Sequence, residues 1–263
     1  MQGNTIKIST WNVNSIRQRI DLLKKHVLDD QVDILLLQEL KCQEHQFPYQ
    51  ELQDLNMYYA IKGQKSYNGV AILSKYKISN IINNFNTLSI EEARYIEATV
   101  NINAKNLHIA SIYVPNGREI DSDPFKQKLL FLTQLKEYIS NKKDDLLILG
   151  GDYNVAPEEI DVYDPIKLKN KIGFHIKERQ CMRAILNSGI YDAFRIHNPD
   201  TQEFSWWDYR SAGWAKNYGM RIDNMLLSTG ALDRLKNCYV NKELRSMEKP
   251  SDHTPIVCEI DIT

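Results

Sequence analysis

The residues with the clearest chemical potential lie in two short motifs at the ends of apolar segments. GGDYN, at residues 150–154, follows the apolar run 146–149, and SDHTP, at residues 251–255, precedes the apolar run 256–258. A carboxylate at the end of a buried strand is held rigidly and is partly desolvated, so it can activate a water molecule or bind a hard metal ion. This chemistry predicts metal-assisted hydrolysis of a phosphodiester.

Asp152 and Asn154 pair an acceptor that can orient water with an amide donor that can stabilise developing negative charge. Both side chains point the same way if the stretch is extended, and the two preceding glycines allow the backbone to approach a substrate closely. A Gly-Asp turn, in which the asparagine bonds its own backbone, fits the same residues equally well.

Two further motifs bring a carboxylate and an imidazole. Glu39 ends the apolar segment 32–38, where it could hold Mg²⁺ or be a solvated residue after a strand. Neighbouring residues on a strand point to opposite faces, so we expect His253 to pair not with Asp252 but with a distant carboxylate, and Asp223 is the obvious candidate. A structural histidine is the alternative.

Two segments that mix polar and aromatic groups could bind a substrate. Tyr113, Asn116 and Arg118 follow a strand and offer phenol, amide and guanidinium groups to a phosphate, although a polar loop is the more ordinary interpretation. SWWDYR, at residues 205–210, combines three aromatic rings with a cation, which suits stacking against a base or sugar, although tryptophans also pack in cores.

Composition limits the class of protein without identifying a partner. The 263 residues are 43% hydrophobic and 25% charged, with a net charge of −1, which is ordinary globular usage for one large domain or two small ones. A strong duplex binder usually carries a basic excess. Any contact with a polyanion must therefore be local, and the clearest basic stretch spans residues 167–179, which also suits a solvated face.

The same composition predicts no membrane association and a cytoplasmic location. No apolar run approaches the roughly 20 residues that a membrane helix needs. Residues 1–5 lack the charged and apolar regions of a targeting signal, and the four cysteines form no C-x-x-C pair, which indicates a reducing compartment.

Hydrophobic patterning predicts strands at residues 6–13, 32–38, 69–74, 95–102, 107–114, 146–150, 222–228 and 254–260, and helices at 15–28, 124–141 and 176–188. Polar residues fall at the carboxyl ends of some strands (Asn12, Glu39, Tyr113, Asp152) and near the starts of others (Asp223, His253). The carboxyl ends of some strands and the amino ends of others can lie at the same edge of a sheet only if some neighbouring strands are antiparallel. We therefore predict an α/β protein with two packed, mixed sheets and helices outside.

Taken together, the motifs resemble those of the exonuclease III-type abasic-site (AP) endonucleases of the endonuclease/exonuclease/phosphatase superfamily. The resemblance covers essentially the whole chain and follows the family's order: TWNVN at 10–14, LQELK at 37–41, GVAILS at 69–74, YVPNG at 113–117, GDYNVAP at 151–157, SWWDYR at 205–210, RID at 221–223 and SDHTPI at 251–256. Each motif alone is modestly specific, but eight in sequence outweigh the ordinary alternatives for Glu39, Asp152, Asn154 and His253.

The resemblance implies a DNase I-like fold, a four-layer α/β sandwich of two packed mixed sheets with helices outside, formed by a single domain over residues 1–263. It implies a monomeric DNA-repair hydrolase that acts on double-stranded DNA and cuts the backbone 5′ to abasic sites. Trimming of 3′ ends or 3′→5′ exonuclease activity would accompany this incision. Mg²⁺ or Mn²⁺ would be the cofactor.

The resemblance also implies a role for each site residue. The metal site would consist of Glu39, with Asn14 and Asp252 nearby. Water would be oriented and deprotonated by Asp152, supported by Asn12 and Asn154. The scissile phosphate would be bound by Tyr113 and by His253 paired with Asp223. Further DNA contacts would come from Asn116 and Arg118, and the pocket for the extruded abasic sugar would be walled by Trp206 and Ile222.

Some positions depart from the family's pattern, and two other functions share its motifs. Met220 stands where relatives usually have tryptophan before the RID triplet, which predicts a softer pocket wall. A superfamily phosphodiesterase acting on inositol phosphates or sphingomyelin is one alternative, although the Trp206 segment and the turn at 113–116 favour DNA. A DNA-binding relative without activity is the other, although no catalytic group of the motifs is missing.

Overall fold

The computed structural model of the chain describes residues 5–85, 92–142 and 146–263. The strands are β1 Thr5–Asn12, β2 Ile34–Gln38, β3 Tyr58–Lys62, β4 Val70–Ser74, β5 Ile78–Ile82, β6 Tyr95–Ile102, β7 Lys105–Tyr113, β8 Leu146–Asp152, β9 Ile190–Asp192, β10 Trp206–Trp207, β11 Gly219–Met220, β12 Asp223–Ser228, β13 Leu235–Val240 and β14 Ile256–Asp261. The helices are α1 Ile20–Asp29, α2 Asp123–Ser140, α3 Pro165–Leu168, α4 Ile176–Leu186, α5 Ala193–His197, α6 Gly213–Lys216 and α7 Thr229–Leu232. Single 3₁₀ turns lie at Ile16–Gln18, Glu44–Gln46, Gln53–Leu55, Glu159–Asp161, Tyr209–Ser211 and Leu244–Ser246.

Two six-stranded sheets form the centre of the protein. The first sheet has the order β13-β14-β1-β2-β4-β3, and the second has the order β5-β6-β7-β8-β12-β9. Only the pairs β1–β2 and β7–β8 are parallel among these described neighbours, and the other pairs are antiparallel. Both sheets are therefore mixed, as the positions of the polar residues predict.

Alternate side chains of each strand enter different layers of the core. In β2, Ile34 and Leu36 lie in the cluster between the two sheets, whereas Leu35 and Leu37 pack with residues of α1 on the outer face. The outer face of the second sheet packs against α2 and α4 in a third cluster. This period-two alternation buries both faces of each sheet. The four-layer, DNase I-like sandwich implied by the resemblance is confirmed.

The eight predicted strands are present, with ends that differ by at most two residues. The helix predicted at 15–28 is divided, because a 3₁₀ turn at Ile16–Gln18 precedes α1. The strands β3, β5, β9 and β13 were not predicted, and each lies at an edge of its sheet. No helix among the described residues is long and apolar enough to cross a membrane.

The two glycines before Asp152 lie inside the sandwich, so the prediction that they approach a substrate is wrong. A Cβ atom on Gly150 would stand 2.5 Å from Leu36 Cδ1 on the opposite sheet. A Cβ atom on Gly151 would stand 2.1 Å from the carbonyl oxygen of Ile112 on the neighbouring strand. Both glycines therefore allow close packing beneath the site rather than contact with a ligand.

Candidate active site

The predicted site residues meet at one end of the sandwich. β1, β2, β7 and β8 end there, and β12 begins there because it runs antiparallel to β8, with Asp223 directly opposite Asp152. β14 runs antiparallel to β1, which brings the segment before it, with Asp252 and His253, to the same end. Two sheets and six elements thus supply one group of side chains.

Asn12 links the two carboxylates at the centre of this group. Its Nδ2 atom donates to Glu39 Oε1 and to Asp152 Oδ2, each at 2.9 Å. The Tyr113 hydroxyl also donates to Glu39 Oε1 at 2.9 Å. Burial and the nearby Glu39 carboxylate raise the pKa of Tyr113, so its hydroxyl keeps its proton and remains a donor.

His253 completes the central cluster. Its Nδ1 atom lies 2.8 Å from Asp223 Oδ2, and its Nε2 atom lies 3.7 Å from Asp152 Oδ2. The pairing with Asp223 is the one that the sequence predicts. Burial alone lowers the pKa of His253, but Asp223 and Asp152 outweigh it and raise the pKa to about 10, so the imidazole is charged at neutral pH.

Asp152 has the pKa of a base that works near neutrality. Burial, together with the neighbouring Asp223 and Glu39 carboxylates, raises its pKa to about 7, although His253 and Asn12 favour the charged form. A general base is most effective when its pKa lies near the working pH. The side chain is 1% exposed, so bulk water does not screen these effects.

The pKa of Glu39 is shifted in the opposite direction from that of Asp152. Burial alone raises its pKa, but Lys41, at 2.9 Å from Glu39 Oε2, and Asn12 lower the pKa below its ordinary value. Lys41 also donates to Asn14 Oδ1. No role was predicted for Lys41, although it lies two residues after Glu39 in the same motif.

The residues predicted to bind metal fall into two adjacent groups. The ligand atoms of Glu39, Asp152 and His253 lie within 4.8 Å of one another, which makes them a candidate metal cluster within the described chain. Asp252 is not in that cluster, because it accepts from Asn14 Nδ2 at 2.8 Å and from Trp206 Nε1 at 3.0 Å. Carboxylate oxygens suit a hard divalent cation such as Mg²⁺ or Mn²⁺, whereas the charged imidazole of His253 has no free lone pair for a metal.

Asn154 does not continue the strand, so of the two conformations that the sequence left open the turn is the one present. Its φ is +52°, and its backbone N–H donates to Asp152 Oδ1 at 2.8 Å. Its side chain accepts from Asn116 Nδ2 at 3.1 Å and donates to the Val114 carbonyl at 2.9 Å. Asn154 therefore holds the 114–116 turn beside Asp152, and Arg118 follows on the exposed side of that turn.

A cavity of about 390 Å³ opens above the cluster. Trp206 and Ile222 line it, as predicted, whereas Trp207 is fully buried in the core. Asn116 and Arg118 also line the cavity. The wall formed by Ile172 and Gly173 was not predicted, and Met220 lines the cavity with them.

A buried carboxylate–imidazole cluster at the shared end of two stacked mixed sheets defines the class of DNase I-like phosphoesterases. Residues 9–253 match the Endonuclease/Exonuclease/phosphatase family, and the chain belongs to that family. The resemblance found in the sequence is thereby confirmed.

Individual relatives are similar over nearly their whole length. Exodeoxyribonuclease III of Haemophilus influenzae is 31% identical over 97% of this chain and 99% of its own. The structure of the 3′ phosphatase NExo from Neisseria, bound to product DNA hairpin, has a TM-score of 0.93 and 36% identity over 97% of this chain and 99% of its own. An AP endonuclease from Archaeoglobus fulgidus has a TM-score of 0.92 and 33% identity over 98% of this chain and 100% of its own.

Proposed function

We propose that the protein is a DNA-repair hydrolase that cuts double-stranded DNA 5′ to abasic sites and also processes 3′ ends. The observation that carries this proposal is the placement of Asp152 between Asn12 and His253 at the floor of the Trp206 cavity. The relatives support the DNA substrate, because they include an exodeoxyribonuclease III, an AP endonuclease and a 3′ phosphatase bound to product DNA.

Asp152 is the proposed base in this reaction. It orients a water molecule and takes its proton as the water attacks phosphorus in line with the leaving oxygen. Asn12 fixes one carboxylate oxygen of Asp152 and the backbone N–H of Asn154 fixes the other. The carboxylate is thus aimed before the substrate arrives, which lowers the reorganisation needed during the reaction.

His253 and Tyr113 are the proposed donors to the scissile phosphate. His253 is charged and held by Asp223, and Tyr113 keeps its proton, so both present hydrogen to oxygens that gain negative charge. Glu39, with Asn14 and Asp252 nearby, would hold Mg²⁺ or Mn²⁺, which supplies a Lewis acid for the same phosphate oxygens.

The cavity supplies a place for an abasic sugar. Trp206 and Ile222 present apolar surface to it, while Asn116 and Arg118 offer donors to the DNA backbone at its margin. An abasic nucleotide has no base to unstack or unpair, so its extrusion into the cavity costs little. Extrusion of an intact nucleotide costs more, because its base must be unpaired and unstacked. We infer that this difference in cost produces the preference for abasic sites.

The decisive experiment measures nicking of a duplex with one synthetic abasic site. In Mg²⁺ we expect a single cut 5′ to the site, no cut in the matched intact duplex, and loss of activity in EDTA. The same assay on 3′-recessed and 3′-phosphorylated duplexes measures the 3′ processing. If the protein cleaved inositol phosphates or sphingomyelin but not DNA, it would be a superfamily phosphodiesterase with another substrate. If it bound DNA tightly and cleaved nothing, it would be a DNA-binding relative without activity.

Three further predictions accompany the function. We propose that residues 1–263 act as a single domain, that the protein is a monomer, and that it works in the cytoplasm. Light scattering after size exclusion measures the mass of the particle against the 30.6 kDa of one chain. A particle of twice that mass would contradict the monomer.

A further inference from the structure

A buried ion pair lies directly behind the candidate active site. Lys128 of α2 and Glu178 of α4 form it, and both side chains are 0% exposed. Neither residue lines the cavity. A buried ion pair is costly to desolvate and often contributes no more to stability than a packed apolar pair. Its presence here therefore calls for an explanation other than stability.

The Lys128 ammonium holds two backbone carbonyls of the site. Its Nζ atom donates to the carbonyl oxygen of Asn154 at 2.7 Å and to that of Asn116 at 3.1 Å, and its third partner is Glu178 Oε1. An ammonium has three protons, so every donor is used. An apolar side chain in this place would leave both carbonyls without this buried partner.

The Glu178 carboxylate holds a third segment. It accepts from the backbone N–H of Gly173 at 3.2 Å and from that of His175 at 2.9 Å. Gly173 lines the cavity, and its φ is +83°. The pair thus ties the wall of the cavity to the carbonyls that Lys128 holds.

These contacts reach Asp152 through one further bond. Asn154 receives the Lys128 bond on its carbonyl and donates its own N–H to Asp152 Oδ1 at 2.8 Å. The side chain of Asn116 bonds Asn154 Oδ1, so the turn and the catalytic segment move together. The turn also fits closely on the lysine stem, since a Cβ atom on Gly117 would lie 3.1 Å from Lys128 Cδ.

We propose that Lys128 and Glu178 are positioning residues for phosphodiester cleavage, which hold Asn116, Asn154 and Gly173 so that Asp152 meets the attacking water. This inference rests on the proposed function. The pair acts through backbone groups and touches neither substrate nor metal.

The test is the double variant Lys128→Met/Glu178→Gln, which removes both charges without leaving one of them unpaired. We expect kcat for abasic-site incision to fall at least tenfold, with KM changed less than threefold. The matched control is Lys142→Met/Glu97→Gln, which in the same way removes both charges of the ion pair between Glu97 and Lys142, just beyond the end of the same helix. This control should lose thermal stability and keep its kcat.

Hydrogen exchange supplies a readout that needs no substrate and stands even if the abasic assay fails. In the double variant we expect the Asn154 N–H to exchange at least tenfold faster, while amides of the central strands β1 and β8 keep their rates. A global rise in exchange, or an unfolded double variant, would mean that the pair only stabilises the fold and would overturn the proposal. Wild-type kcat with unchanged exchange at Asn154 would overturn it as well.

Discussion

Asn12 joins two neighbouring carboxylates whose electrostatic surroundings differ. Its Nδ2 atom bonds Glu39 on one side and Asp152 on the other, each at 2.9 Å. Lys41 lowers the pKa of Glu39, whereas burial and the neighbouring Asp223 carboxylate raise the pKa of Asp152. Titratable neighbours whose pKa values are pushed apart are typical of sites in which the two groups have different protonation states and different chemical roles.

The first prediction concerns Asp152→Asn. The amide keeps the shape of the side chain but cannot take a proton, so single-turnover incision should fall by about 10²- to 10⁴-fold. Binding of abasic DNA, measured by gel shift, should change little. The exposed Asp200 provides the control, since Asp200→Asn should cut at the wild-type rate. An Asp152→Asn variant that still cuts rapidly would remove Asp152 from its role.

The second prediction concerns stability against pH. The folded-state pKa of Asp152 is raised to about 7, so its contribution to stability is fully present below the unfolded value near 3.8 and is lost as pH rises through about 7. We therefore expect the Tm of Asp152→Asn minus the Tm of the wild type, both measured in EDTA, to be larger at pH 8 than at pH 5. Each kcal/mol corresponds to about 2–4 °C for a chain of this size. An equal difference in Tm at both pH values would contradict the burial argument.

At the scale of elements, Gly150 sets how closely the two sheets approach beneath the site. A Cβ atom there would meet Leu36 Cδ1 at 2.5 Å and Met225 Sδ at 2.8 Å. Gly150→Ala should therefore lower the free energy of unfolding by about 1–3 kcal/mol, the usual cost of overpacking. Urea unfolding measures it. Gly230→Ala is the control, because Gly230 lies in α7 with its nearest neighbour atom at 3.2 Å and alanine favours helix.

Hydrophobic patterning predicted the inner strands of the two six-stranded sheets but not their four edge strands. β2 and β4 are wholly buried and have four apolar residues out of five, whereas the edge strand β5 has no buried residue and β3 and β13 have one each. A strand covered on both faces shows a continuous apolar run, while an edge strand with little burial resembles a loop. The edge strands β3, β5 and β13 were therefore not predictable from hydrophobicity alone, and β9 is mostly buried but only three residues long, too short for a pattern to show.

The site shows a similar division. The motifs predicted the residues at strand ends and the pairing of His253 with Asp223. They did not predict Lys128, because its bonds to Asn154 and Glu178 join positions 26 and 50 residues apart and depend on how α2 and α4 pack. The left-handed backbone of Asn154 was also missed, since the Gly-Asp-Tyr-Asn letters fit a strand and a turn equally.

At the scale of the whole molecule, a net charge of −1 means that DNA must be attracted locally. Lys169 and Lys171 are exposed and flank the cavity wall, because Leu168 packs against the cluster that contains Met220 and Ile222. We therefore expect this segment to follow the phosphate backbone beside the site.

The fourth prediction concerns the salt dependence of binding. Lys169→Ala/Lys171→Ala should weaken binding of all duplexes and reduce the slope of log K against log salt by about 0.9 for each phosphate that the protein no longer neutralises. The incision rate at saturating DNA should be unchanged. Lys77→Ala/Lys105→Ala is the control, since both lysines lie at the end of the second sheet away from Tyr113. If the two double variants had equal slopes of log K against log salt, the DNA would not follow the segment that contains Lys169 and Lys171.

The pairing of β1 with β14 brings the first described strand of the chain against the last. Ribosomes release Asn12 and Glu39 early, but His253 and its supporting strand emerge only after every other described strand of both sheets. A partly translated chain therefore lacks part of the proposed active site, and we expect it to cleave no DNA. We expect the proposed site to be complete only once β14 has paired with β1.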